Sequence, residues 1–247
     1  MRPSQRRARR LITLGFMGAQ PLDLTGPTEV FSMASRLRRA ARYEVVLASP
    51  RGGSIVTSSG LSMQSVRLET LTPRASDTVL VSGGEDEGVA ILAKDTALLR
   101  WLRRAAQVSR LGSVCTGAFV LAAAGTLDGL RAATHWSACD RLQAFRPAVR
   151  VDPQAIFVQT GRIWTSAGVT TGIAMALAML EEAHGRALAD AVASQLVLCV
   201  RRPSLKQVAD RAGLRDVPQM NRAFQRTLGL LPRDVLLLFA ESASPRE

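Results

Sequence analysis

Short apolar runs alternate with amphipathic stretches from residue 11 to about 184. Leu11 to Phe16, Tyr43 to Ala48 and Thr78 to Val81 have the length and composition of buried strands. Gly26 to Ala41, with Pro27 near its first turn, and Asp95 to Val108 repeat their apolar positions at helical spacing. A further strand is expected at Arg131 to Thr134, and Ile156 to Val158 with Ile163 to Thr165 flank Gln159-Thr160-Gly161-Arg162, a hairpin signal. Ala167 to Glu182 reads as a largely apolar helix. This alternation predicts an α/β fold, a doubly wound and mostly parallel sheet with helices on both faces.

The pattern changes after Gly185. Arg186 to Val200 places Leu188, Val192, Leu196 and Val200 on one helical stripe, and Arg201-Arg202-Pro203 ends it. Ser204-Leu205-Lys206-Gln207 is a capping-box pattern opening a helix that Gly213 stops. Asp216 is the expected N-cap of a second helix, with Val217, Met220, Phe224 and Leu228 on one face and Gln219, Arg222 and Arg226 nearly opposite. The spacing suits a small all-α helix-turn-helix unit, and equally an amphipathic hairpin with a solvated outer face. The expected organisation is an α/β domain over 1–184, a connecting helix over 185–202 and the helical unit over 203–247.

Charge adds a direction to this layout. The net charge is +12 in 247 residues: Arg2, Arg6, Arg7, Arg9 and Arg10 give +5, residues 201–247 give +4, and the 190 residues between carry only +3. An excess at the ends is the footprint expected of a protein that meets a polyanion, or of an arginine-rich solvated surface. Three scattered cysteines and two histidines argue against a disulfide framework, a metal site or a metal cofactor, and imply a reducing, cytoplasmic setting. Arg9-Arg10 before an apolar run imitates a secretion signal, but the run is short and leads directly into Pro21-Leu22-Asp23. No run approaches the ~20 apolar residues needed to span a bilayer.

The candidate chemistry centres on Gly112-Ser113-Val114-Cys115-Thr116-Gly117-Ala118, a strand-to-helix turn. A cysteine there sits at a helix N-terminus, where amides and the helix dipole favour its thiolate. Asp23 and Ser82-Gly83-Gly84 fall at the carboxyl ends of other expected strands, where open α/β sheets bind ligands.

These segments resemble a known family. Leu22 to Phe31, Ser82-Gly83-Gly84, Gly112 to Ala118, Leu127-Asp128-Gly129 with Ala133-Thr134-His135-Trp136, and Trp164 to Ile173 resemble the DJ-1/PfpI superfamily, whose fold is class I glutamine amidotransferase-like. The whole layout resembles its transcription-regulator branch, the GlxA-like proteins, which carry an AraC-type helix-turn-helix domain. The C-terminal likeness covers only the second of that domain's two units, and Leu236-Leu237-Leu238 stands where relatives are more polar.

The resemblance implies a DNA-binding regulator that is a homodimer with no cofactor and no membrane, and that senses a small-molecule effector. Asp23, Gly83, Gly84, Cys115, Thr116 and His135 are its expected ligand-binding residues. Arg215, Gln219, Arg222 and Arg226 are its expected DNA contacts. In the superfamily's enzymes the elbow cysteine is the nucleophile and an acid at the position of Asp23 holds it; Gly84 and Thr116 amides would then cradle an oxyanion. Protease-like members place a histidine directly after the cysteine, where this chain has Thr116. An isonitrile-hydratase-like enzyme using Cys115 and Asp23 is therefore one alternative. A truncated regulator acting through heterodimers is the other.

Overall fold

Leu11, Ile12 and Leu14 are fully buried because they form the strand β1 (Arg9–Leu14) near the centre of the sheet. The computed structural model describes residues 9–196 and 215–228. The chain divides into two compact units, Met1–Leu198 and Cys199–Glu247.

In the first unit, β2 (Tyr43–Ser49), β3 (Gly53–Val56), β4 (Ser62–Arg67), β5 (Thr78–Val81), β6 (Arg110–Val114), β9 (Phe157–Thr160) and β10 (Ile163–Ser166) join β1 in one sheet. Its order is β3-β4-β2-β1-β5-β6-β10-β9. The pairings from β4 through β10 are parallel, while β3 and β9 close the two edges antiparallel. A separate ribbon pairs β7 (Arg131–Ala132) with β8 (Arg150–Val151).

Side-chain alternation along the strands feeds two cores. Leu11, Leu80, Val114 and Trp164 face α1 (Pro21–Leu37), α6 (Val169–His184) and α7 (Arg186–Gln195). Ile12, Leu14, Val79, Val81 and Leu111 face the other side, with α2 (Asp86–Leu92), α3 (Thr96–Val108), α4 (Gly117–Ala123) and α5 (Cys139–Phe145). The doubly wound, mostly parallel sheet is thus the observed fold.

Several boundaries differ from the sequence expectation, for local reasons. Helix α1 starts at Pro21, not Gly26: a proline suits the first helical position, where its missing N–H would lack a partner anyway. Asp23 therefore lies in the first turn of a helix. The β3–β4 hairpin was not anticipated, because its residues are mostly exposed and polar. At the Gly161 turn the hairpin forms as expected, with Ile163 opposite Thr160. Leu188 and Val192 are buried in the core beside α6, whereas Val200 lies outside the described residues.

Arg10 corrects the charge reading. It is 5% exposed, and its Nε and Nη2 donate to the Asp77 carboxylate at 3.0 and 2.6 Å, with Nη2 also on the Thr72 carbonyl. A charge placed at a sheet end and neutralised within the fold adds nothing to a surface footprint.

The second unit contains α8 (Val217–Leu228). Asp216 Oδ1 accepts the Gln219 amide at 2.7 Å, so Asp216 caps the helix as expected. Gln219 Oε1 in turn accepts the Arg215 amide at 2.6 Å. Met220 is buried; Arg222 and Arg226 are exposed. The expected helix over 204–212, the Leu236 to Leu238 run and the side chains of Phe224 and Leu228 lie outside the described residues. No described helix is long and apolar enough to cross a membrane.

Candidate functional site

The carboxyl ends of β1, β5, β6 and β10 converge on one open cavity of about 550 Å³. Cys115, the residue after β6, has φ 57°, the only positive φ among described non-glycine residues. A left-handed backbone at a residue with a Cβ is strained by about 1–2 kcal/mol. Three bonds hold it: the Cys115 amide donates to the Ser166 carbonyl at 3.0 Å, and the Cys115 carbonyl accepts the Thr134 hydroxyl at 3.0 Å and the Ala118 amide at 3.4 Å. The thiol is left half-buried on the cavity floor.

Asp23 lies behind the thiol and is 1% exposed. Its Oδ2 accepts the Gly83 amide at 3.1 Å, while Oδ1 has no hydrogen-bond partner among the described residues. Gly83 is glycine for want of space: a Cβ there would lie 2.8 Å from Asp23 Oδ2, from Cys115 Cβ and from the Thr116 nitrogen. Burial pushes the Asp23 carboxyl up to about 6, against the Gly83 bond that lowers it. Burial, and then the Asp23 charge, push the Cys115 thiol up to about 11, although bonds from the Thr116 amide and side chain lower it. Burial and the Asp23 charge thus oppose the thiolate that a helix start favours, and helix α4 has only seven residues.

One of the two amides expected to cradle an oxyanion is taken up: the Gly84 amide donates to Thr116 Oγ1 at 3.1 Å. His135 lines the cavity with Cys115 and Gly84, and its Nδ1 is 2.8 Å from the Ser137 hydroxyl. Asp23, Gly83 and Thr116 form the support beneath the cavity instead of its wall.

The rest of the wall was not read from the sequence. Gln20 follows β1, Ser58 comes from the β3–β4 turn, Glu85 precedes α2, and Ala167 to Thr171 lead into α6. Trp136, 72% exposed, stands at the rim beside His135, with ring centroids 5.5 Å apart. Thr57-Ser58-Ser59-Gly60 is a turn signal that could have marked the hairpin. Among the described residues no group of histidine, cysteine and carboxylate side chains could hold a metal ion.

Residues 10–182 match the family model for the DJ-1/PfpI family. The chain belongs to this family. Among relatives, the HTH-type transcriptional regulator CdhR of Pseudomonas aeruginosa is 34% identical over 87% of this chain and 62% of its own length. The HTH-type transcriptional regulator GlxA of Rhizobium meliloti is 30% identical over 95% of this chain and 78% of its own. Isonitrile hydratase of Pseudomonas putida is 34% identical over 73% of this chain and 75% of its own. The chain thus spans less than two thirds of the CdhR relative.

Solved structures share the DJ-1/PfpI fold. An AraC family transcriptional regulator from Pseudomonas putida superposes with a TM-score of 0.67 at 23% identity, over 76% of this chain and 99% of that one. Drosophila melanogaster DJ-1beta gives 0.67 at 21%, over 78% and 99%. Within this DJ-1/PfpI chain, the strained Cys115 and the buried Asp23 are the features that bear on chemistry.

Proposed function

We propose that this chain is a DNA-binding transcription regulator of the AraC-type, GlxA-like kind, whose DJ-1/PfpI domain senses a small metabolite and dimerises. The observation that carries the reading is the likeness to two relatives named as HTH-type transcriptional regulators, extending over 87% and 95% of this chain. A Gly84 amide already donating to Thr116 Oγ1 at 3.1 Å, and a thiol pushed up by burial and then by the Asp23 charge, accord with a ligand pocket.

The DNA contacts would come from α8. Arg222 and Arg226 are the side chains to reach bases or phosphates, since Gln219 is already bonded to the Arg215 amide. The deciding experiment is gel retardation of DNA upstream of the coding region, at two salt concentrations, with wild type and Arg222→Ala/Arg226→Ala. Binding that weakens steeply with salt and is lost in the variant supports the reading. Binding unchanged in the variant removes α8 as the reading element.

A second reading is a cysteine hydratase of the isonitrile type. It is favoured by the strained elbow at Cys115 and its buried acid partner, and by the relative named isonitrile hydratase. Isonitrile turnover lost in Cys115→Ala would establish it. No turnover together with specific DNA binding would dismiss it.

A further inference from the structure

A second cavity, of about 350 Å³, opens beside the C-terminal half of α1 and the start of β2. Arg36, Arg39 and Arg42 line it, with Ser32, Tyr43 and Val45, and among the described residues no carboxylate does. The Arg36 head group is held in place, donating to Glu29 Oε1 at 2.9 Å and Ser32 Oγ at 3.1 Å. Arg39 and Arg42 are exposed and have no hydrogen-bond or ion-pair partner among the described residues.

The turn that carries these two arginines is pinned. Ser35 Oγ accepts the Tyr43 amide at 2.9 Å and donates to the Phe31 carbonyl at 2.8 Å, closing the short 3-10 turn Arg39–Ala41 against α1.

We propose that this cavity binds a compact polyanion, the di- or triphosphate chain of a small molecule. Guanidinium groups bind phosphate oxygens in paired hydrogen bonds, and two of the three here are uncommitted. Concavity favours a compact ligand over a nucleic-acid backbone, whose charges run along a line and call for an extended track of contacts. The volume lies at the lower end of the range for small-molecule pockets. This site lies outside the Cys115 cavity, and the proposal does not depend on the regulator reading.

The test is calorimetric titration of inorganic triphosphate into the full chain at physiological ionic strength. Wild type is compared with Arg39→Ala/Arg42→Ala and with Arg100→Ala/Arg104→Ala, which removes two exposed charges from α3. Saturable one-to-one binding is expected, weakened at least tenfold in the first variant and less than twofold in the second, with unchanged melting temperatures. Absence of saturable binding, or equal losses in both variants, overturns the proposal. So does a variant that loses duplex DNA binding while triphosphate fails to bind wild type, which would make the cluster a nucleic-acid contact.

Discussion

The hydroxyl of Thr116 accepts the backbone amide of Gly84 at 3.1 Å, tying the end of β5 to the turn after β6. Thr116 is 8% exposed, so Thr116→Val keeps the shape while leaving that amide without a partner. A loss of about 1–2 kcal/mol is expected in denaturant unfolding. An unchanged midpoint would mean that the tie contributes nothing.

Asp23 should make folding weaker as pH rises. Its carboxyl ionises near 6 when folded and at the ordinary 3.8 when unfolded, so the folded chain binds the extra proton between these values. Stability contributed by the protonated form is full below pH 3.8 and is lost as pH climbs through 6, a difference of about 3 kcal/mol. Asp23→Asn should be the more stable protein at pH 7, and its advantage should shrink toward pH 4. A stability difference that does not vary with pH would exclude a buried, hard-to-ionise Asp23.

Burial, and then the same carboxylate, hold a proton on Cys115. Peptide-mapped alkylation by iodoacetamide should be slow for Cys115 at pH 7 and rise toward about 11. Asp23→Asn removes the repelling charge, so the midpoint should fall. Rapid alkylation of wild type at neutral pH would reverse the assignment and strengthen the enzymatic reading.

Gly83→Ala should be costly because the new methyl meets three atoms at 2.8 Å, two of them backbone or β-carbon. About 1–3 kcal/mol of destabilisation is expected from such overpacking. Gly168→Ala, whose Cβ would meet only His135 Cδ2 at 3.7 Å, is the comparison, on the wall of the cavity that Gly83 underlies. Equal effects at both positions would show that close approach is not what Gly83 provides.

Arg10→Met should destabilise by about 3–5 kcal/mol, since it leaves the fully buried Asp77 side chain without its counter-ion. Thermal unfolding at pH 7 measures it. A near-neutral result would mean that the buried pair contributes nothing.

The parallel core was legible because its strands are continuous apolar runs separated by helical periodicity, as at Thr78 to Val81. The β3–β4 hairpin was not, since one of its strands alternates half-buried and exposed positions and carries no apolar signal. Cys115, Gly84 and His135 were placed in the cavity by motif, and they line it. The charge environment of Cys115 escaped the sequence. A helix start suggests a stabilised thiolate, but burial, and then the charge of Asp23, 92 positions away along the chain, act on the thiol only through folding. Arg10 misled for a similar reason: it counts as surface charge until Asp77 closes on it.

Parallel pairing of β1 and β2 has a spatial consequence for the two cavities. The floor holding Cys115 lies where strands end, and Arg42 lies where β2 begins, so about 20 Å of sheet, the run of a seven-residue strand, separates them. Molecules occupying the two could not touch. Any influence of one on the other would have to travel through the paired strands or along helix α1, whose first turn carries Asp23 and whose last carries Arg36.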